Sequence, residues 1–256
     1  MAGNKIVINL FFLFFICGTP SVSLGNIDDI QSSHGELLAK YVKDGAVDYQ
    51  GLKKEEQKLD QYLALLAKTQ PEELAHDHQL AFYINAYNAY TIKLILNNFK
   101  NGRPLKSIKK IGRLFTKPWS IKFCEIGGKI YSLDNIEHDI IRPKFKDPRV
   151  HFAINCAAKS CPPLISKPYF GDTLDKQLDE NSASFINDPG NNYLKKNTLF
   201  VSKIFKWFAE DFNNDPLLFI QKYTNSDLKN QLETTKEKIK IKYLDYDWSL
   251  NNSRSH

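Results

Sequence analysis

Apolar positions recur at helical spacing through the first part of this chain and at mixed spacing afterwards. Residues 27–43 and 55–68 read as amphipathic helices, separated by Gly45 and Asp48. Leu80, Ile84, Tyr87, Thr91, Leu94 and Ile95 fall on one face of a third helix predicted over 79–98, which closes in Asn97 and Asn98. Residues 123–126 and 129–133 then predict two strands joined by the turn Gly127-Gly128. Asp134 and Glu137 have the spacing of a capping box for a short helix ended by Arg142-Pro143. Val150, Phe152, Ile154 and Cys156 alternate with His151, Ala153 and Asn155, as on a strand. A loop follows over 157–163, then a helix over 174–187, a strand over 198–202, helices over 204–212 and 216–223, and a last strand over 238–246. The fold class this predicts is α+β: a single domain with a helical N-terminal half packed on a mixed or antiparallel sheet.

The start of the chain departs from this pattern. Lys5 precedes an apolar run from Ile6 to Ile16, and Gly18, Pro20, Ser21 and Ser23 resemble a cleavage region, so residues 1–23 are expected to be an export signal. The run is too short to span a bilayer, which predicts a soluble exported protein, periplasmic or secreted, with residues 24–256 as its single domain. The formal charge of +6 is mildly basic. Its densest tract, Lys236 to Lys242, alternates lysine with Ile239 and Ile241 as a lysine-guarded edge strand would, so no nucleic-acid partner is expected. Of four cysteines, Cys17 lies in the leader, leaving Cys124, Cys156 and Cys161.

Several ordered motifs are recognisable: residues 82–89 (FYINAYNA), 132–138 (SLDNIEH), 147–156 (DPRVHFAINC), 160–164 (SCPPL) and 246–251 (YDWSLN). Together they resemble the domain-of-unknown-function family 547 over residues 40–251. The resemblance implies kinship without a settled activity. Some animal relatives join this domain to a glutaredoxin-like one, which hints at thiol chemistry by association.

Chemistry is expected where thiols and imidazole approach one another, between His151 and Cys161. A Cys/His hydrolase or transferase acting on a peptide- or amide-like bond would use Cys161 or Cys156 as nucleophile and His151 or His138 as base. Strand parity would put Cys156 on the face opposite His151 and leave Cys161 free to fold back. Competing readings are a Cys156–Cys161 disulfide, which would close a short loop, thiol-disulfide exchange by the same pair, and a binding module without turnover. Glu137 is either a general acid or base or the second half of the capping box. Asn85 and Asn88 share a helical face and, with Asn155 and Ser160, are candidate substrate-binding groups; the bland alternative is that the carboxamides satisfy loop backbone. His76-Asp77-His78 reads as a solvated helix entrance capped by Asp77, and Trp207 and Trp248 as core anchors. No metal or cofactor motif is present, and the expected partner is a small-molecule or peptide substrate.

Overall fold

The computed structural model describes residues 27–112 and 116–253; the expected leader and Cys17 lie outside them. Helix α1 (Ile27–Tyr41) buries Ile30, Leu37 and Leu38 along one side. Strands β1 (Val42–Lys43) and β2 (Ala46–Val47) form a hairpin whose turn holds Gly45 at φ 78°. A Cβ there would also fall 2.6 Å from Cβ of Pro163, so only glycine fits both the backbone and its neighbour. Asp48 caps α2 (Tyr49–Lys54) by accepting from Gly51 N at 2.8 Å, and α3 (Glu56–Lys68) follows.

Helix α4 (His76–Leu96) is the spine of the fold. From Gln79 to Leu96 nearly every side chain is buried, because α1, α2 and α3 lie against it on one side and later segments on the other. A helix enclosed all round carries little amphipathic contrast, which is why its tyrosines and asparagines are as hidden as its leucines. Asp77 does not cap it: Ala75 holds that position, and Asp77 pairs with His76 at 2.8 Å.

Strands β3 (Cys124–Ile126) and β4 (Lys129–Tyr131) form the expected hairpin, with Gly127 and Gly128 both at positive φ. Next comes a π-helix, Asn135–Ile141, in which Arg142 N–H reaches back to Glu137 O, leading into α5 (Arg142–Phe145). The capping box predicted between Asp134 and Glu137 is not formed. Ser132 and Asn135 satisfy each other instead: Asn135 Oδ1 accepts from Ser132 N at 3.1 Å, and Ser132 Oγ accepts from Asn135 N at 3.1 Å.

The strand predicted over 150–156 is also absent. Pro148–Phe152 is a 3₁₀-helix capped by Asp147, and the chain beyond it is irregular. Phe152 turns into an aromatic cluster with Phe185, Phe205 and Phe212, and that packing outweighs the local β-pattern.

The remaining elements are α6 (Leu174–Ile186), β5 (Tyr193–Lys195), β6 (Thr198–Val201), α7 (Ile204–Trp207), a 3₁₀ turn at Ala209–Phe212, α8 (Pro216–Tyr223), α9 (Ser226–Thr234) and β7 (Lys240–Tyr243). The fold is α+β. Its strands are split, among the described residues, into three small sheets ordered β1-β2, β3-β4 and β5-β6-β7. As the lysine alternation predicts, β7 is an edge strand, paired in parallel with β6, and Lys240 and Lys242 point outward. None of the helices described is long and apolar enough to cross a membrane.

The chain then returns across the molecule. Ser160 N donates to Asp247 O, Lys159 N to Ser249 O and Asn251 N to Ala157 O, while Ser253 N reaches Val47 O. The C-terminal stretch thus ties loop 157–161 to the β1–β2 hairpin.

Candidate functional site

One cavity of about 1040 Å³ opens where α4, the π-helix, loop 153–162, α7 and the C-terminal stretch meet. Glu137, His138, His151, Cys156 and Cys161, drawn from three separate sequence motifs, all line it. The parity that would have separated His151 from Cys156 lapses because the backbone there is not a strand.

Loop 155–161 is shaped by asparagines. Asn88, from α4, donates to Ala153 O at 2.9 Å and accepts from Asn155 N at 2.8 Å. Asn155 donates to Pro162 O at 2.7 Å and accepts from Ala157 N at 2.8 Å and Asn251 Nδ2 at 3.2 Å. Ala157, fully buried, is held at φ 61°, an unfavourable conformation for a residue with a Cβ. The resulting reversal brings Cys156 N to 2.8 Å from Cys161 Sγ. Asn85 is likewise committed, donating to Gln31 Oε1 and Tyr169 O and accepting from Tyr169 N. Ser160 Oγ accepts from Asp247 N at 2.8 Å. Asn85, Asn88, Asn155 and Ser160 therefore do not line the cavity; they hold backbone that would otherwise be unpaired.

Cys156 and Cys161 are free thiols, so the disulfide reading is not realised, and Cys124 is a third, buried in β3. The two thiols differ. Cys161 is buried, whereas Cys156 is partly exposed and its Sγ lies 3.4 Å from the Tyr246 hydroxyl. A hydrogen bond from Cys161, helped by Tyr246, lowers the proton affinity of Cys156 despite burial, while burial and the negative charge next to it push Cys161 well up. Of the two thiols, Cys156 is the one that gives up its proton more readily.

His151 is almost fully buried, stacked on Phe208 with ring centroids 3.9 Å apart, and its Nε2 lies 2.6 Å from Asp211 Oδ2. Asp211 also receives Arg142 Nε at 2.6 Å and Nη2 at 3.0 Å, and these cationic and imidazole partners hold its carboxylate far below the usual range despite partial burial. For His151, burial outweighs the attraction of Asp211 and keeps the ring neutral. His138, on the exposed side, contacts Arg142 Nη1 at 3.0 Å; burial of the ring and that guanidinium lower its pKa too. Glu137 is buried, accepts from the Tyr87 hydroxyl at 3.2 Å, and is pushed up to about 7 by burial. It is a carboxyl group that can keep its proton near neutrality.

All three tryptophans of the chain, Trp119, Trp207 and Trp248, border the same cavity. Trp207, expected as a core anchor, is 45% exposed, and Trp248 is half-buried. Outside the cavity, Asp28, His78 and Asp172 bring ligand atoms within 4.8 Å of one another, the one grouping among the described residues with the composition of a cation site.

Asp211 is the principal site residue that sequence reading missed. Its signal is a carboxylate embedded in the aromatic run Phe205, Trp207, Phe208 and Phe212, where a charge needs a partner. Tyr246 was seen only as part of a motif.

An imidazole paired with a carboxylate thus shares one cavity with two free thiols on an α+β frame. Residues 71–186 match the model of the family described as protein of unknown function, DUF547, and the chain is a DUF547 domain-containing protein. No curated protein and no solved structure matches it. Asp211, Tyr246 and two of the three tryptophans lie beyond the matched span.

Proposed function

We propose that the cavity is the active site of a hydrolase or transferase that cleaves an amide- or peptide-like bond, with Cys156 as nucleophile and His151, held by Asp211, as base. The observation that carries this reading is the partly exposed Cys156 in the same cavity wall as His151, whose Nε2 is held by Asp211. Of the two cysteines considered from sequence, Cys156 is preferred to Cys161 because it is the more exposed of the two and its thiol is the one shifted down.

In this scheme the Cys156 sulfur adds to the substrate carbonyl carbon. Neutral His151 takes the thiol proton on Nδ1 as the sulfur attacks, since Nε2 is taken by Asp211. As the C–N bond breaks, that proton passes to the departing amine, leaving a thioester on Cys156. Water, or an acceptor nucleophile in a transferase, then attacks the thioester while His151 takes its proton, and the thiol is regenerated when that proton returns to the sulfur. The Tyr246 hydroxyl, beside the sulfur, and protonated Glu137 are donors suited to the oxyanion.

A second reading is thiol-disulfide exchange, favoured by the closeness of Cys161 to Cys156. Timed iodoacetamide labelling with mass mapping separates the two. A nucleophilic Cys156 labels at least about tenfold faster than Cys124 and Cys161, and Asp211→Asn shifts its pH profile. Stable release of glutathione from a Cys156 mixed disulfide by Cys161 would support exchange instead. A Cys156 no faster than Cys124 rules out the hydrolase. We also propose that residues 1–23 direct export; N-terminal sequencing of the mature protein beginning at Met1 would refute this.

A further inference from the structure

The cavity has a composition beyond what nucleophilic chemistry requires. Trp207, Trp248 and Tyr246 form a continuous aromatic strip, with ring centroids 4.6 to 5.6 Å apart, and Trp119 extends it at 5.6 Å from Trp248. Exposed aromatic faces on this scale mark a binding surface more readily than a core. Lys109 and Lys117, both exposed, stand at the rim, and Lys109 Nζ lies 4.7 Å from the Trp248 ring centroid. Among the described residues neither lysine has a carboxylate within ion-pair distance. Of the carboxyls in the same wall, Asp134 accepts from Ser120 Oγ at 2.5 Å and Glu137 from the Tyr87 hydroxyl. The cavity volume suits a ligand of several rings or residues.

We infer that the substrate is an anionic amide carrying an aromatic ring, the ring lying on the Trp207–Trp248–Tyr246 strip and its carboxylate or phosphate facing Lys109 and Lys117. This rests on the reading above for the bond cleaved but not for the binding itself. Stacking supplies affinity for the flat group, and two unpaired ammonium groups at the rim select its charge. The lysine already near Trp248 discourages a cation from taking that face.

The test uses two probes of one ring and opposite charge, 1-naphthylacetate and 1-naphthylmethylammonium, titrated calorimetrically into the full chain. Binding of the anion about tenfold tighter is expected, with the preference reduced by high salt and lost in the Lys109→Gln/Lys117→Gln double variant. Bound 1-naphthylacetate should also slow iodoacetamide labelling of Cys156. Equal binding of the two probes, a preference that survives loss of both lysines, or binding that leaves Cys156 unprotected would overturn the inference. If the anion is preferred through the lysines while Cys156 proves unreactive, the nucleophile reading fails alone and the anion-binding strip stands.

Discussion

Replacing Asn88 by Ala tests whether one buried carboxamide organises the thiol loop. Asn88 is 3% exposed and makes two bonds to backbone on either side of Ile154, one to Ala153 O and one from Asn155 N. Truncation leaves both backbone groups buried without their partner, at a cost of about 1–3 kcal/mol each. The expected loss is therefore about 2–6 kcal/mol, a large share of the roughly 5–15 kcal/mol that holds a domain of ordinary stability. Urea unfolding followed by far-ultraviolet circular dichroism gives the loss directly, with the slope checking that the unfolded state is unchanged. Labelling of Cys156 under native conditions gives the second reading, because release of the loop alters access to both sulfurs. Asn88→Asp keeps the acceptor for Asn155 N but sets an oxygen against Ala153 O, so it should be no more stable than the alanine variant. A loss below about 0.5 kcal/mol for Asn88→Ala, with unchanged labelling, would refute the claim that this tie shapes the loop.

Other consequences concern acid stability and the hairpin beside the loop. His34 is fully buried, stacked on Tyr62, with neither ring nitrogen partnered, and burial lowers its pKa to about 3. Because the unfolded chain takes up that proton near pH 6.5 while the folded one does not, stability contributed by neutral His34 is lost as pH falls below 6.5, by about 2 kcal/mol at pH 5. Glu137, raised to about 7, acts with the opposite sign, its contribution falling as pH rises from 4.5 towards 7. The wild type minus His34→Leu difference cancels Glu137, and a difference flat between pH 7 and 5 would show that His34 is not desolvated. Gly45→Ala should lower stability by about 1–3 kcal/mol from the positive φ and the approach to Pro163; an unchanged thermal midpoint would contradict that.

Much of the architecture is readable from residue pattern. The long apolar helix α4, the Gly127-Gly128 hairpin and the lysine-lined edge strand follow from local periodicity and turn chemistry, which depend on near neighbours. What local pattern misreads is set from a distance. Residues 150–156 alternate like a strand, yet no partner strand is available, and Phe152 is drawn into the aromatic cluster around Phe205. Asp134 and Glu137 have the right spacing for a cap, but Tyr87, fifty positions earlier, claims the glutamate. Asp211 looks like an ordinary surface charge until His151 and Arg142 arrive beside it. The asparagines show the same limit: their spacing marks them as paired, while only the folded chain reveals that their partners are backbone.

The crossing of residues 246–253 over loop 157–161 also sets an order of events. Tyr246, whose hydroxyl lies 3.4 Å from Cys156 Sγ, and Asn251, which braces Asn155 and receives the Tyr49 hydroxyl, are synthesised 90 and 96 residues after Cys156 and Asn155 respectively. A growing chain thus exposes its thiol loop before the groups that pack against it have been made. The environment of Cys156 is therefore completed only once that later stretch has been made and has folded back across the loop.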